Sequence, residues 1–174
     1  MDGFVAILTL NSAATSVVDV SMGEKQYRFT CKRCASLCCS LGGPVITKKE
    51  AESIENTGLS SCGFIEPLTS GVNCSSLVVG GLKTRSDGSC VFLESDQTKN
   101  NRRCGIYSVR PALCRLYPFT FEQCGPDKVA LKIIPCCLGL NSSEGQVVTE
   151  NYILENVVGP LLDAMQVLQK DDKF

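Results

Sequence analysis

Twelve cysteines, in a chain that contains no histidine, constrain this protein more than any other feature of its sequence. Four of them lie close together in the run Cys31-Lys32-Arg33-Cys34-Ala35-Ser36-Leu37-Cys38-Cys39. Since C-x2-C spacing lets two sulfurs bind one metal at bond lengths of about 2.3 Å, the run predicts a metal-binding loop. The lack of histidine excludes Ser-His-Asp and Cys-His catalysis, mixed Cys/His zinc fingers and facial-triad iron sites. Any metal must therefore be held chiefly by thiolates.

Composition and charge predict a folded protein without a nucleic-acid or membrane partner. The chain has 174 residues, of which 44% are hydrophobic and 20% charged, and its net charge is -1 at pH 7. It lacks the broad positive field that holds proteins on nucleic acid or anionic lipid. No apolar run reaches the ~18 residues of a membrane-spanning helix, and residues 1–10 lack the basic start of a signal peptide. We expect a cytoplasmic protein, in which thiols stay reduced and clustered cysteines indicate metal.

The pattern of apolar residues predicts an α+β fold, a small and irregular metal-nucleated domain with short antiparallel strands and a C-terminal helix. Two apolar, β-branched runs at 4–10 and 15–20 predict a hairpin. Alternation at 25–30 predicts a short strand that leads into Cys31, and residues 128–134 predict another strand.

Helix signals occur at two places before the C-terminal region. Thr47 and Glu50 have the spacing of a capping box and predict a helix over about 48–57. Pro111 suits the first position of a short helix, because the amide hydrogen that proline lacks would have no helical partner there. This short helix would carry Cys114.

Apolar residues at helical spacing predict a last helix between about Ile153 and Leu168. Gly159-Pro160 should kink or split that helix. We expect one domain over residues 1–174, with a cysteine-cluster metal-chelating core at 25–140 and a C-terminal helical extension at 141–174.

The later cysteines could complete sites that the first cluster begins. Eight thiols, enough for two tetrahedral zinc sites or two cubane clusters, result when the four of the first cluster are added to Cys90, Cys104, Cys114 and one of the pair Cys136-Cys137. One site with spare cysteines fits the spacing equally well. We expect roles other than metal binding for three cysteines outside any tight motif, because free cysteine is often a small buried hydrophobe. These three are Cys62, Cys74 and Cys124.

Three segments together resemble a known family, the YkgJ-type cysteine-cluster proteins, to which zinc or iron chelation is ascribed. They are the run Cys31–Cys39, the segment Gly88-Ser89-Cys90-Val91-Phe92-Leu93, and the stretch Cys104-Gly105-Ile106-Tyr107-Ser108-Val109-Arg110-Pro111-Ala112-Leu113-Cys114-Arg115-Leu116-Tyr117-Pro118-Phe119. The resemblance extends from about Phe29 to Gly139. The family motif is C-x2-C-x2-C-C with glycine after the second cysteine, whereas this chain has one more residue and Ala35 at that place.

The resemblance implies metal chelation and selects the ligands. A late Cys-x-Gly element of the family matches Cys137-Leu138-Gly139, which implies that Cys137 rather than Cys136 binds metal. The expected ligands are thus Cys31, Cys34, Cys38, Cys39, Cys90, Cys104, Cys114 and Cys137. One similar branch, flagellin lysine-N-methylase, is an iron–sulfur protein, so the resemblance favours an iron–sulfur cluster, of the [4Fe–4S] type, over zinc. It also implies an alternative, a small iron–sulfur enzyme that methylates protein or a redox protein with an unknown partner.

Basic residues beside the candidate ligands agree with an anionic centre. Their charge and hydrogen-bond donors could stabilise an iron–sulfur cluster or zinc-bound thiolates. They are Lys32, Arg33, Arg102, Arg103, Arg110 and Arg115. For Arg110 we expect a structural partner rather than a substrate anion. No Gly-rich nucleotide-binding fingerprint is present, and no catalytic residue is predicted. A third hypothesis, a secreted disulfide scaffold without metal, stays open.

Overall fold

A computed structural model describes residues 3–68, 75–96 and 101–168. In these ranges the chain is an α+β protein with short antiparallel strands and a helical C-terminal region, as the sequence predicts. The strands are β1 (Phe4–Leu10), β2 (Val17–Met22), β3 (Arg28–Phe29), β4 (Val45–Thr47), β5 (Ile65–Glu66), β6 (Val78–Leu82), β7 (Leu93–Asp96), β8 (Asn101–Cys104), β9 (Phe119–Gln123), β10 (Lys128–Ile133) and β11 (Gln146–Val147). The helices are α1 (Lys48–Glu55), α2 (Ser61–Phe64), α3 (Ala112–Leu116), α4 (Glu150–Asn156) and α5 (Val158–Leu168), with a 3-10 helix at Tyr107–Val109.

The chain divides into two compact units. Unit 1 consists of Met1–Lys32 and Leu116–Asp163, and unit 2 of Arg33–Arg115 and Ala164–Phe174.

Unit 1 contains a four-stranded antiparallel sheet in the order β2-β1-β10-β9. The predicted hairpin is confirmed, although β2 begins at Val17 rather than at residue 15. The predicted strand at 128–134 is also confirmed as β10. The two central strands β1 and β10 supply core side chains such as Leu8 and Leu131, each fully buried.

A second, two-stranded sheet of unit 1 pairs β3 with β11. The strand predicted at 25–30 is reduced to Arg28–Phe29, because ladder pairing extends over only two residues of β11. Beyond β3 the Thr30 amide donates a hydrogen bond to the Gly139 carbonyl over 3.1 Å. A Cβ atom at Gly139 would overlap the carbonyl oxygen of Thr30. This close approach of two backbone segments therefore requires glycine.

Unit 2 contains the three-stranded sheet β4-β6-β5 and the β7-β8 hairpin. Its core is apolar and includes two cysteines, Cys39 and Cys90, which are 6% and 4% exposed. Their fully or nearly fully buried neighbours include Ile46, Ile54 and Leu82. Cys38 and Cys104 pack against this core, so four of the metal-binding candidates of unit 2 lie in it or contact it.

The predicted capping box at the start of α1 is confirmed. The Glu50 amide donates to Thr47 Oγ1 over 3.3 Å, and Glu50 Oε2 accepts from the Thr47 amide over 2.8 Å. The helix ends at Glu55, two residues before the predicted end, and Gly58 follows with a φ of +93°. A left-handed residue of this kind is a common helix stop, and glycine adopts it without steric cost.

Glu50 also fixes the start of α3. Its Oε1 atom accepts a hydrogen bond of 2.6 Å from the amide of Ala112, the first residue of that helix. The predicted short helix is therefore present and carries Cys114, but it begins one residue after Pro111. The Pro111 carbonyl accepts from the Arg115 amide over 2.9 Å.

The C-terminal region is helical, but the break in it was predicted at the wrong place. Two helices, α4 and α5, meet at Val157 rather than at Gly159-Pro160. Pro160 lies in the first turn of α5, where a missing amide hydrogen costs no helical bond. No helix in the described part of the chain has the length and apolarity needed to cross a bilayer.

Substitution of Glu50 tests its double role. Glu50→Ala removes the acceptor of both the Thr47 and Ala112 amides, so we expect the free energy of unfolding to fall by about 2 kcal/mol. Glu52→Ala is the matched control, since Glu52 is exposed and forms only a loose pair with Lys48 at 3.9 Å. This control should cost about 0.3 kcal/mol. Urea denaturation measures both values, and equal losses would show that Glu50 acts only as an exposed helix residue.

Candidate metal centre

Three thiols of unit 2 are joined by hydrogen bonds. The side chain of Cys39 interacts with those of Cys38 and Cys104. Cys38 and Cys39 belong to the N-terminal cysteine run, whereas Cys104 ends β8. The fold therefore brings together thiols that are far apart in the sequence.

Two further thiols of unit 2, Cys90 and Cys114, lie within electrostatic range of Cys38 and Cys104. The charges of Cys90, Cys104 and Cys38 all act on Cys114, and those of Cys104 and Cys38 act on Cys90. Cys90 and Cys39 are also linked through the backbone, since the Cys90 amide donates to the Cys39 carbonyl over 2.8 Å. We call Cys38, Cys39, Cys90, Cys104 and Cys114 the five-thiol cluster.

A tight turn before β7 positions Cys90. Asp87 Oδ1 accepts from the Ser89 amide over 2.9 Å and from the Ser89 hydroxyl over 2.6 Å. These two bonds hold the pKa of the Asp87 carboxyl below its ordinary value. The residue between them, Gly88, has a φ of +82°. The Asp-Gly pair thus forms a turn that fixes the backbone just before Cys90, a predicted ligand.

Backbone bonds then connect Cys90 to Cys104. The Leu93 amide donates to the Cys90 carbonyl over 3.0 Å, and Leu93 pairs with Cys104 across the β7-β8 ladder. The Arg85 guanidinium donates to the carbonyls of Val91 and Leu93 over 2.6 Å and 2.7 Å. This network fixes the separation of the two cysteines.

The cysteine run contains two residues with left-handed backbone conformations. Arg33 has a φ of +53° and Ala35 a φ of +48°. Non-glycine residues adopt this region at a cost of roughly 1–2 kcal/mol. The cost explains why glycine suits the place of Ala35, where the sequence departs from the motif it resembles.

The cluster contains two acidic thiols. The hydrogen bond from Cys39 lowers the pKa of Cys38 to about 6, although burial opposes this shift. A hydrogen bond from Cys39 likewise lowers the pKa of Cys104 to about 7. The positive charge of Arg110 adds to both effects. Because a thiol has one hydrogen, Cys39 serves one of these two acceptors at a time.

The other three thiols keep their protons. Donation to Cys104 and Cys38, together with burial, raises the pKa of Cys39 well above its ordinary value. Burial raises the pKa of Cys90 and raises that of Cys114 to about 12. In the metal-free chain the cluster therefore mixes thiolates with protonated thiols at neutral pH.

Three predicted ligands are not placed in the five-thiol cluster. Cys34 lies in unit 2, where its carbonyl accepts from the Ser36 hydroxyl over 3.4 Å. Cys31 and Cys137 belong to unit 1, in segments that the Thr30–Gly139 hydrogen bond places side by side. The ligand roles of all eight cysteines stay predictions.

The remaining cysteines lie apart from the cluster. Cys62 is exposed and its sulfur lies 3.1 Å from the Ser60 hydroxyl. Cys124 and Cys136 are exposed in unit 1, and Cys74 lies outside the described residues. No disulfide joins the cysteines in the described ranges.

The donor chemistry of the cluster fits a thiophilic metal, since thiolates suit zinc and iron–sulfur centres. Over the residues that the structure describes, no three Cys, Asp or Glu side chains already form a ready-made metal site. The thiols instead contact each other through hydrogen bonds. Metal binding must therefore release the protons of the thiols that become ligands and reorganise their contacts.

The Tyr107 ring has a contact that the sequence did not predict. Tyr107 is close to Arg110 in the sequence, but in the structure Arg33 also lies over the same ring. Arg33 and Tyr107 are distant in sequence, so no local pattern could have revealed their contact.

A family model described as "Putative zinc- or iron-chelating domain" matches residues 30–144. An uncharacterized protein of Methanocaldococcus jannaschii is 32% identical over 128 residues, which cover 71% of this chain and 64% of that protein. No solved structure is significantly similar to the chain.

The family match covers well over half of the chain and all eight predicted ligands. The chain therefore belongs to this CxxCxxCC family, and the resemblance seen in the sequence is confirmed. The aligned region spans about 64% of the length of the M. jannaschii relative.

Thiol alkylation tests the charge pattern of the cluster. Because the thiolate is the nucleophile, iodoacetamide at pH 7 should modify Cys38 and Cys104 of the metal-free protein before Cys114. Lowering the pH below 6 should slow the first two by protonating them. Arg110→Gln should also slow them, since loss of the positive charge raises both pKa values. Peptide mass spectrometry gives the rate at each site, and equal rates at all three cysteines would contradict the pattern.

Proposed function

We propose that this member of the zinc- or iron-chelating family binds an iron–sulfur cluster through thiolates of unit 2. The observation that supports the proposal most strongly is the five-thiol cluster, in which hydrogen bonds and charge link sulfurs from three separate segments. Four of its five members would serve as ligands, as both a cubane cluster and tetrahedral zinc require. Cys38 and Cys104 are the first choices, because they are already thiolates near neutral pH.

One feature favours an iron–sulfur cluster. The positive charge of Arg110 acts on Cys38 and Cys104, and charge and hydrogen bonds around the sulfur atoms are a principal means of tuning iron–sulfur centres. Such a cluster would supply one-electron transfer, with a protein redox partner. The reduced thiols that it needs agree with a cytoplasmic location.

The alternative is a structural zinc site formed by the same cysteines. Four sulfurs at about 2.3 Å from zinc lie about 3.8 Å from each other in a tetrahedron. The contacts of Cys39 with Cys38 and Cys104 join three of the four thiols that such a site needs, and this observation favours the alternative. Zinc bound there would chiefly stabilise the folded chain.

Three further ligands are proposed from the sequence pattern, namely Cys34 of unit 2 and Cys31 and Cys137 of unit 1. The alternative of an iron–sulfur enzyme that methylates protein rests on the family resemblance alone. None of the contacts described above supports it.

Cysteine substitutions test the proposal directly. We expect Cys38→Ser and Cys104→Ser to lose most of the metal bound per chain, because serine does not replace a soft thiolate ligand. Cys62→Ser and Cys124→Ser are matched controls, since both residues are exposed and lie outside the cluster. The controls should retain the metal content of the wild-type protein. Full retention of metal by the Cys38→Ser and Cys104→Ser variants would overturn the proposed site.

Metal and sulfide analysis of the anaerobically purified protein separates the two forms of the proposal. Matched iron and acid-labile sulfide with visible absorption would support the iron–sulfur cluster. A colourless protein with stoichiometric zinc would replace it with the zinc alternative. A protein that contains neither metal would contradict the proposal in both forms.

A further inference from the structure

Two guanidinium groups contact the ring of one tyrosine in unit 2. The Cζ atoms of Arg33 and Arg110 lie 4.5 Å and 3.8 Å from the ring centroid of Tyr107. Both distances are within the range of about 6 Å over which cation–π attraction acts. Within the described ranges, neither arginine forms an ion pair with a carboxylate. Two positive charges thus share one ring without an acidic partner.

Arg110 is held by Tyr107 in two ways. Its planar group lies against the ring, and its Nε–H donates to the Tyr107 carbonyl over 3.1 Å. The positive charge held there acts on Cys38, Cys104 and Cys114 of the five-thiol cluster. Since arginine has five N–H donors, the bond to Tyr107 leaves four for other acceptors.

Arg33 connects the same ring to the cysteine run. It follows Lys32 directly and has a left-handed backbone, which is disfavoured for a residue with a Cβ atom. The contact with Tyr107 offsets this cost and anchors the start of the run that continues to Cys39.

The two arginines would repel each other unless negative charge lies close to them. Four thiolates around a dication have a net charge of about −2, which two guanidiniums would balance. Since neither arginine pairs with an acidic side chain in the described residues, both positive charges can balance the negative charge of the metal centre.

We propose that Tyr107 is a positioning residue for the metal centre. Its ring and carbonyl direct Arg110 toward Cys38 and Cys104, and its contact with Arg33 holds the cysteine run in place. This inference rests on the proposed function, because the charge that the two arginines complement is that of the metal-bound thiolates.

Cobalt(II) binding to the metal-free protein, followed by thiolate-to-cobalt absorption, tests the inference. Tyr107→Leu and Arg110→Gln should weaken cobalt binding by about tenfold or more, as loss of outer-sphere partners commonly does. Tyr107→Phe keeps the ring and the carbonyl and should bind within about twofold of wild type. The control Lys48→Gln removes one exposed positive charge of unit 2 that forms only a loose pair with Glu52 at 3.9 Å, and it should leave cobalt affinity unchanged.

A second measurement does not depend on metal. The amides of Ser40 and Leu41 both donate to the Leu37 carbonyl, over 2.9 Å and 3.2 Å, and report on the end of the cysteine run. In the metal-free protein, Tyr107→Leu should speed hydrogen exchange at these two amides, whereas Tyr107→Phe should not.

The outcomes separate this inference from the proposed function. Wild-type protein that binds no cobalt would overturn both. Wild-type protein that binds cobalt, with a Tyr107→Leu variant of equal affinity and equal amide exchange, would overturn the role of Tyr107 alone. An equal loss in Lys48→Gln and Arg110→Gln would also overturn it, because general charge would then explain the effect. If Tyr107→Leu fails to fold, the comparison of Lys48→Gln with Arg110→Gln decides.

Discussion

The hydrogen bonds from Cys39 to Cys38 and Cys104 connect the cysteine run to the β7-β8 hairpin, and the site of unit 2 is arranged around them. The same residue is buried in the core, and its carbonyl accepts from the Cys90 amide. Cys39 thus contributes a side chain to the apolar core, a thiol hydrogen that Cys38 or Cys104 accepts, and a carbonyl acceptor for the Cys90 amide. It is the residue at which the cysteine run, the turn at Cys90 and strand β8 meet.

Two opposing effects act on the thiols of this cluster. Burial removes water and favours the protonated thiol, and this effect is the larger one at Cys90 and Cys114. Hydrogen bonds and the charge of Arg110 favour the thiolate, and they dominate at Cys38 and Cys104. A metal cation favours all of the thiolates at once, because it supplies more positive charge than the single guanidinium. The cluster is therefore a place where metal binding and proton release are coupled.

Elements that depend on neighbouring residues could be predicted from the sequence, whereas those that depend on distant contacts could not. The capping box of Thr47 and Glu50 is local, and the hairpin and β10 follow from apolar, β-branched runs. The second bond of Glu50, to Ala112, joins segments far apart and left no sequence signal. The helix break was predicted at Gly159-Pro160 and not at Val157, where it occurs. Proline can interrupt a helix or occupy its first turn, and the sequence did not show that Pro160 does the second.

The candidate site shows the same division. Spacing and resemblance together named all five members of the cluster, since each lies in a cysteine-rich motif. They did not indicate which thiols would carry charge, because that depends on burial and on Arg110. They also could not reveal that Arg33, next to the cysteine run, contacts Tyr107.

X-ray absorption spectroscopy at the metal edge of the anaerobically purified 174-residue chain would identify the metal and its nearest neighbours. We expect iron or zinc whose nearest neighbours are sulfur atoms alone, at about 2.3 Å, with added iron–iron scattering for a cluster. The signal should disappear in the Cys38→Ser, Cys104→Ser double variant. A nearest shell of oxygen or nitrogen atoms, or a sulfur shell that survives in the double variant, would show that these thiols do not hold the metal.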